Sequence, residues 1–172
     1  MISGHATRAA TEAYAASLGA ACAPGHYSDF LNQHLKLSSL GVGSFPGAAD
    51  DATDEAVARI VERALLSGLN VLDSAVHYRY GRALGALRAG LERAFARGVA
   101  REQVFVAIKG GFLLFPQGPP QDFERWFDVH VAARGLGTRA DLAGAHLLAP
   151  AYLAWQLEFA RSALGLETLD AF

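Results

Sequence analysis

The chain has 172 residues, of which AVILMFWYC make up 52% and DEKR 19%. That length suits about one domain, and the composition supplies a core, which excludes a disordered or collagen-like chain. Fifteen basic against 17 acidic side chains give a formal net charge of −2, so there is no global basic field of the kind nucleic acid or an anionic membrane selects.

The single cysteine, Cys22, excludes an internal disulfide framework and any multi-cysteine zinc site. A reduced, cytoplasmic setting is the expectation. No run approaches the ~18 apolar residues of a membrane span. Residues 13–23 are small and mildly apolar, but Glu12 and the lone strong hydrophobe Leu18 make a poor signal peptide.

Residues 1–36 read as a polar, Ala-rich lead-in, with a short helix over 7–18 and Pro24-Gly25 as a break. Residues 40–45 (LGVGSF) form a first strand candidate. Helical periodicity follows over 51–66. Val57, Ile60, Val61, Ala64 and Leu65 share a face there, with Thr53 or Asp51 as cap and Gly68 past the end. Residues 70–74 are a second strand. A second helix runs over 82–97 on a Leu84, Leu87, Leu91, Phe95 stripe. Residues 103–108 (QVFVAI) are continuously apolar, as a strand buried on both faces reads. The segment 112–148 breaks this rhythm, with a Pro-Gly loop at 115–120 and a short helix over 121–134. A clear helix over 150–164 starts on Pro150 and closes at Gly165. Residues 166–172 begin a fourth strand. Alternating strands and helices give a parallel α/β sheet with right-handed crossovers, either open and doubly wound or part of a (β/α) barrel.

The glycine cluster Gly41, Gly43, Gly47 follows a strand, but its spacing is G-x-G-x-x-x-G. Pro46 and further residues separate it from the helix, so a phosphate would miss the helix N-terminus and the glycines serve a tight strand exit. Asp73 and Lys109 end neighbouring strands, and Tyr78 lies in the loop after Asp73. In a parallel α/β fold these ends share one rim, where sites form. A lysine ending an apolar run needs a partner, which Asp73 supplies. The plain alternative is a structural ion pair beside a surface tyrosine.

Three segments, 40–45 (LGVGSF), 67–78 (SGLNVLDSAVHY) and 101–109 (REQVFVAIK), resemble the aldo-keto reductase family. The tail 164–172 (LGLETLDAF) is similar to that family's fourth strand. The resemblance spans roughly residues 38–112 and 148–172. It implies a (β/α)₈ TIM barrel that moves a hydride from NADPH to a carbonyl of a small-molecule substrate. It implies Tyr78 as the general acid, made more acidic by the Lys109 cation, with Asp73 orienting Lys109. Gly43, Ser44 and Asp73 would approach the nicotinamide.

Two departures stand out. The family's Ser-Glu after its tyrosine is replaced by Ala83-Leu84. Its catalytic histidine past strand four and its adenosine-phosphate grip do not appear before Phe172, and a full barrel needs about 250 residues. The expectation is therefore the N-terminal half of such a barrel, about four strands, with 1–36 as lead-in and 37–172 as a partial reductase domain, inactive alone. The alternative is a non-catalytic half-barrel acting as an interaction module. The expected uncovered interior face, Val42, Leu72, Ile108 and Leu169, favours a homodimer of half-barrels.

His5, His26, His34, His77, His130 and His146 show no metal-ligand spacing. His77 adjoins Tyr78 at the rim, and His146 lies in the long connection that emerges at the same rim, where it either lines the pocket or, as the plainer reading, is a loop histidine with no role. Trp126, Phe127 and Trp155 read as packing or rim cover, because no basic stripe accompanies them.

Overall fold

The computed structural model describes residues 1–30 and 34–172. Helix α1 (Arg8–Leu18) starts where Thr7 Oγ1 accepts from the Ala10 amide. Strands β1 (Tyr27–Phe30) and β2 (Leu35–Ser38) form an antiparallel hairpin. The lead-in expected over 1–36 thus ends inside β2 and continues directly into the next unit.

Three strands then build the parallel sheet in the order β3 (Val42–Gly43), β4 (Val71–Ala75), β5 (Phe105–Lys109). Helix α2 (Asp51–Leu66) joins β3 to β4, and α3 (Arg82–Ala96) joins β4 to β5. The cap of α2 is Asp50, whose Oδ1 accepts from the Thr53 amide at 2.8 Å, in place of the Thr53 or Asp51 expected from sequence. Its buried face is Val57, Ala58, Val61 and Leu65. Ile60 points outward at 56% exposure, because Ala58 takes the position against α3. At Gly90 of α3 an added Cβ would lie 2.6 Å from the Val61 Cβ, so only glycine allows this approach.

Residues 112–148 hold α4 (Phe123–His130) and a small hairpin of β6 (Leu142–Ala143) and β7 (His146–Leu147). Helix α5 (Pro150–Leu164) returns to the sheet. Of the expected fourth strand a start is seen. Residues 166–172 make only isolated parallel bridges, Leu166 to Ile2 and Ala171 to Ala107. Ala171 pairs with β5 through its backbone, donating to Val106 O at 3.3 Å and accepting from Ile108 N at 3.0 Å, and one step earlier the Asp170 carboxylate accepts from the Val106 amide at 2.8 Å and from the Ala6 amide at 2.6 Å. Among the described residues the sheet has three strands and is not closed.

Register assigns the faces. Val42, Leu72 and Val106 lie in one row, and Gly43, Asp73 and Ala107 in the next. Side chains alternate along a strand, so these rows face opposite ways. The first row, with Ile108, packs against α2, α3 and α5, where each buried Val, Leu or Ile contributes roughly 1.5–3 kcal/mol. This corrects the expected open interior. Val42, Leu72 and Ile108 are 8%, 0% and 2% exposed, and Leu169 packs on the same core. The open face instead carries Gly43, Asp73, Ala107 and Lys109. Its lower end, Phe105 and Val71, is covered by Leu35, Leu37 and Ala6 of the N-terminal segment.

Asn70 bolts that cover in place. Fully buried before β4, it accepts from the Ser38 amide at 2.8 Å and donates to Lys36 O at 3.0 Å and Gln103 O at 3.2 Å. Among the described residues no helix is long and apolar enough to cross a membrane.

Candidate active site

Asp73 sits on β4 opposite Ala107, and Lys109 ends β5 two residues beyond it. Both therefore project from the open face, and the lysine reaches back to its neighbour. Lys109 Nζ donates to both Asp73 oxygens, at 2.6 and 2.5 Å. The pair is half exposed, at 50% for each side chain. Val76 N donates to Lys109 O at 3.0 Å, which pins the exit of β4 to the end of β5. The next turn then delivers Tyr78. The ammonium lies over the Tyr78 ring, 5.3 Å from its centre. Desolvation lowers the Lys109 pKa, but the bonds to Asp73 and the nearness of Tyr78 outweigh it, and the net shift is upward from 10.5. Lys109 is thus held as a cation between a carboxylate and a phenol.

The structure brings Asp73, Tyr78 and Lys109 together and places Gly43 beside Asp73 in register. Ser44 is turned away. It is 0% exposed, and its hydroxyl donates to Ser74 Oγ at 2.7 Å on the helix side of the sheet. Its backbone is covered as well, with Ser44 O accepting from Arg79 Nε at 3.4 Å, so Ser44 is not open to a ligand.

Sequence reasoning placed His77 at the rim but passed over Phe45 and Phe112 in the ring wall around Tyr78. Phe45, 64% exposed, meets the Tyr78 ring edge-on at 5.0 Å. His77 packs edge-on against Tyr78 at 4.9 Å and stacks on Phe112 at 4.4 Å, and Phe112 meets His146 at 4.1 Å. His146 stands in β7 at this rim, where its connection was expected to emerge. The small hairpin carrying it gave no alternation long enough to read. Burial, then the charges of His146 and Lys109, lower the His77 pKa from 6.5 and keep its imidazole neutral. Gln156, fully buried on α5, fixes the strand exit by accepting from Gly111 N at 2.6 Å and donating to Phe112 O at 2.7 Å. Among the described residues no group of His, Cys, Asp and Glu can hold a metal ion.

A parallel βαβαβ sheet thus carries a Lys–Asp pair and a tyrosine on the rim at its C-terminal strand ends. The model of the Aldo/keto reductase family matches residues 39–140, more than half of the chain, and the chain belongs to that family. The match extends the similarity into the segment up to residue 140 and stops before His146 and the 164–172 tail. No curated protein matches the chain. Members of this family act on small-molecule carbonyl compounds and generally use NADP(H).

Proposed function

We propose that the chain reduces a small-molecule carbonyl compound with NADPH, using Tyr78, Lys109 and Asp73. The observation that carries this reading is Lys109, held as a cation against both the Asp73 carboxylate and Tyr78 on the open face. Tyr78 would give its phenolic proton to the carbonyl oxygen as the carbon accepts a hydride. The Lys109 ammonium favours the phenolate that remains, and Asp73 holds Lys109 at that position. The residues present fit a nicotinamide. Gly43 is exposed, nothing lies within 4 Å of where its Cβ would be, and Asp73 flanks it. Gly43 and Asp73 would hold that ring, and the bound cofactor supplies the hydride. Residues 37–172 carry this chemistry, with 1–36 covering the lower end of the sheet. The open face, Gly43, Asp73, Ala107 and Lys109, offers little apolar area to a second copy, so a dimer of half-barrels lacks the drive expected for it.

The test is NADPH consumption with 4-nitrobenzaldehyde. Tyr78→Phe and Lys109→Met should each lower the rate by roughly 10²–10⁴, the usual worth of a positioned proton donor. A rate unchanged by both variants sinks the assignment. A folded protein that consumes no NADPH with any carbonyl probe favours the non-catalytic module instead.

A further inference from the structure

Away from Asp73, Tyr78 and Lys109, a cavity of about 540 Å³ opens between α4, α5 and the 115–121 loop. None of those three side chains lines it. Its walls are aromatic. Phe115 meets Trp126 edge-on at 4.6 Å, and Tyr152, Trp155 and Phe159 form a tilted row at 5.3 and 5.8 Å. The three prolines 116, 119 and 120 stiffen the loop that closes one side. Flat rings on several sides leave a slot suited to a flat ligand.

Of the polar groups at this cavity, Arg134 and the two indoles are donors only, while Gln117, Gln121 and His130 carry both donors and acceptors. The Arg134 guanidinium lies 5.1 Å over the Trp155 ring, and among the described residues it has no carboxylate partner. The nearest acidic groups on α4 are already engaged, Glu124 and Asp128 by Arg139, and Asp122 as the helix cap. Neither indole N–H, of Trp126 or Trp155, is hydrogen-bonded within the described residues, nor is the Gln121 amide. An aromatic slot edged by one uncompensated cation and several free N–H donors complements an aromatic anion. Arg presents two parallel N–H groups that match a carboxylate, which a neutral hydroxyl cannot reproduce.

We propose that this cavity is a binding site for a flat aromatic carboxylate, with Trp126 and Trp155 flanking the ring and Arg134 receiving the carboxylate. The site is separate from the reductase reading and does not depend on it.

The chain has two tryptophans, and both line this cavity, so intrinsic fluorescence reports on it directly. Biphenyl-4-carboxylate is titrated without nucleotide, beside the neutral biphenyl-4-methanol. The carboxylate should quench saturably and bind at least tenfold tighter than the alcohol. Arg134→Gln should remove that preference while leaving alcohol binding unchanged. Arg134→Lys should keep part of it, which separates loss of charge from loss of fold. Tyr78→Phe should change nothing, so failure of the reductase reading leaves this result intact. Equal binding of the two probes, no saturation up to millimolar probe, or a preference that survives Arg134→Gln each overturns the proposal.

Discussion

Asn70→Ala removes one side chain and strands three backbone groups. Ser38 N loses its acceptor, and Lys36 O and Gln103 O lose their donor. Asn70 is 0% exposed, so water does not replace these bonds without the hairpin moving. Each buried group left unsatisfied costs about 1–3 kcal/mol, and partial relaxation brings the three to about 3–5 kcal/mol. For a chain of this length that lowers the melting temperature by about 10 °C. Asn70→Asp is a sharper probe. Its carboxylate still accepts from Ser38 N but turns an oxygen toward two carbonyls, so it should destabilise at least as much at neutral pH and recover in acid. Urea unfolding followed by circular dichroism measures the cost. Hydrogen exchange at the Ser38 amide tests whether the hairpin has come loose. A loss under about 1 kcal/mol, or unchanged Ser38 protection, would show that the N-terminal cover is held by its apolar contacts instead.

Asp170→Ala leaves the Arg101 guanidinium, 2% exposed, without its 2.8 Å partner, and should cost about 3–5 kcal/mol in the same unfolding assay. Gly90→Ala forces α3 off α2 at Val61 and should cost about 1–3 kcal/mol, read as a lower urea midpoint with an unchanged slope. His77 carries a pH signature. Its folded pKa lies below 6.5, so the unfolded chain takes up the proton first and stability is lost as pH falls below that value. His77→Asn should flatten the fall in stability between pH 7 and pH 5, and an unchanged slope would place the acid sensitivity elsewhere.

The helices were legible because their signals are local. The 51–66 and 150–164 periodicities and the Gly165 stop correspond to α2 and α5 residue for residue. The three parallel strands and the approach of Asp73, Tyr78 and Lys109 were legible because strand ends of a parallel sheet share a rim. The N-terminal hairpin was not. Its strands are four residues each, and β1 is largely exposed, so no alternation marks it. What creates it is tertiary, namely the buried amide of Asn70. The fourth strand starts as expected: Ala171 bonds to Val106 O and Ile108 N through its backbone, and before it the Val106 amide is taken by the Asp170 side chain. The sense of the sheet faces was also hidden. A run such as 104–108 is apolar throughout, and only register decides that Ile108 meets the helices while Lys109 after it meets the open face. The same parity error that would leave Leu72 uncovered would bury Asp73, so core and site rest on one choice of register.

The turn that carries Tyr78 is the least legible part of the site, and its physics explains why it is held so firmly. Arg79 and Tyr80 both adopt left-handed backbone, at φ 48° and 59°, ahead of Gly81 at φ 90°. Glycine takes that conformation freely, but a side-chain-bearing residue costs roughly 1–2 kcal/mol there. Two in succession persist only where the surroundings over-determine them. Those surroundings are identifiable. The Arg79 side chain, 3% exposed, pairs with Asp54 of α2, and its Nε donates to Ser44 O at 3.4 Å. Arg82 pairs with Asp51 and with the same Asp54, the latter at 2.6 Å. The strained turn is therefore clamped to the first turn of α2 and to the exit of β3. The β3 exit also carries Gly43, and Gly43 lies in register beside Asp73. Tyr78 is thus fixed relative to the open face by charge pairs behind the rim. The rings in front of it, Phe45 and His77, only pack against its edges. Strain stored one residue from the proposed proton donor, and anchored to the strand exit beside its lysine and carboxylate, is what keeps the phenol at the rim.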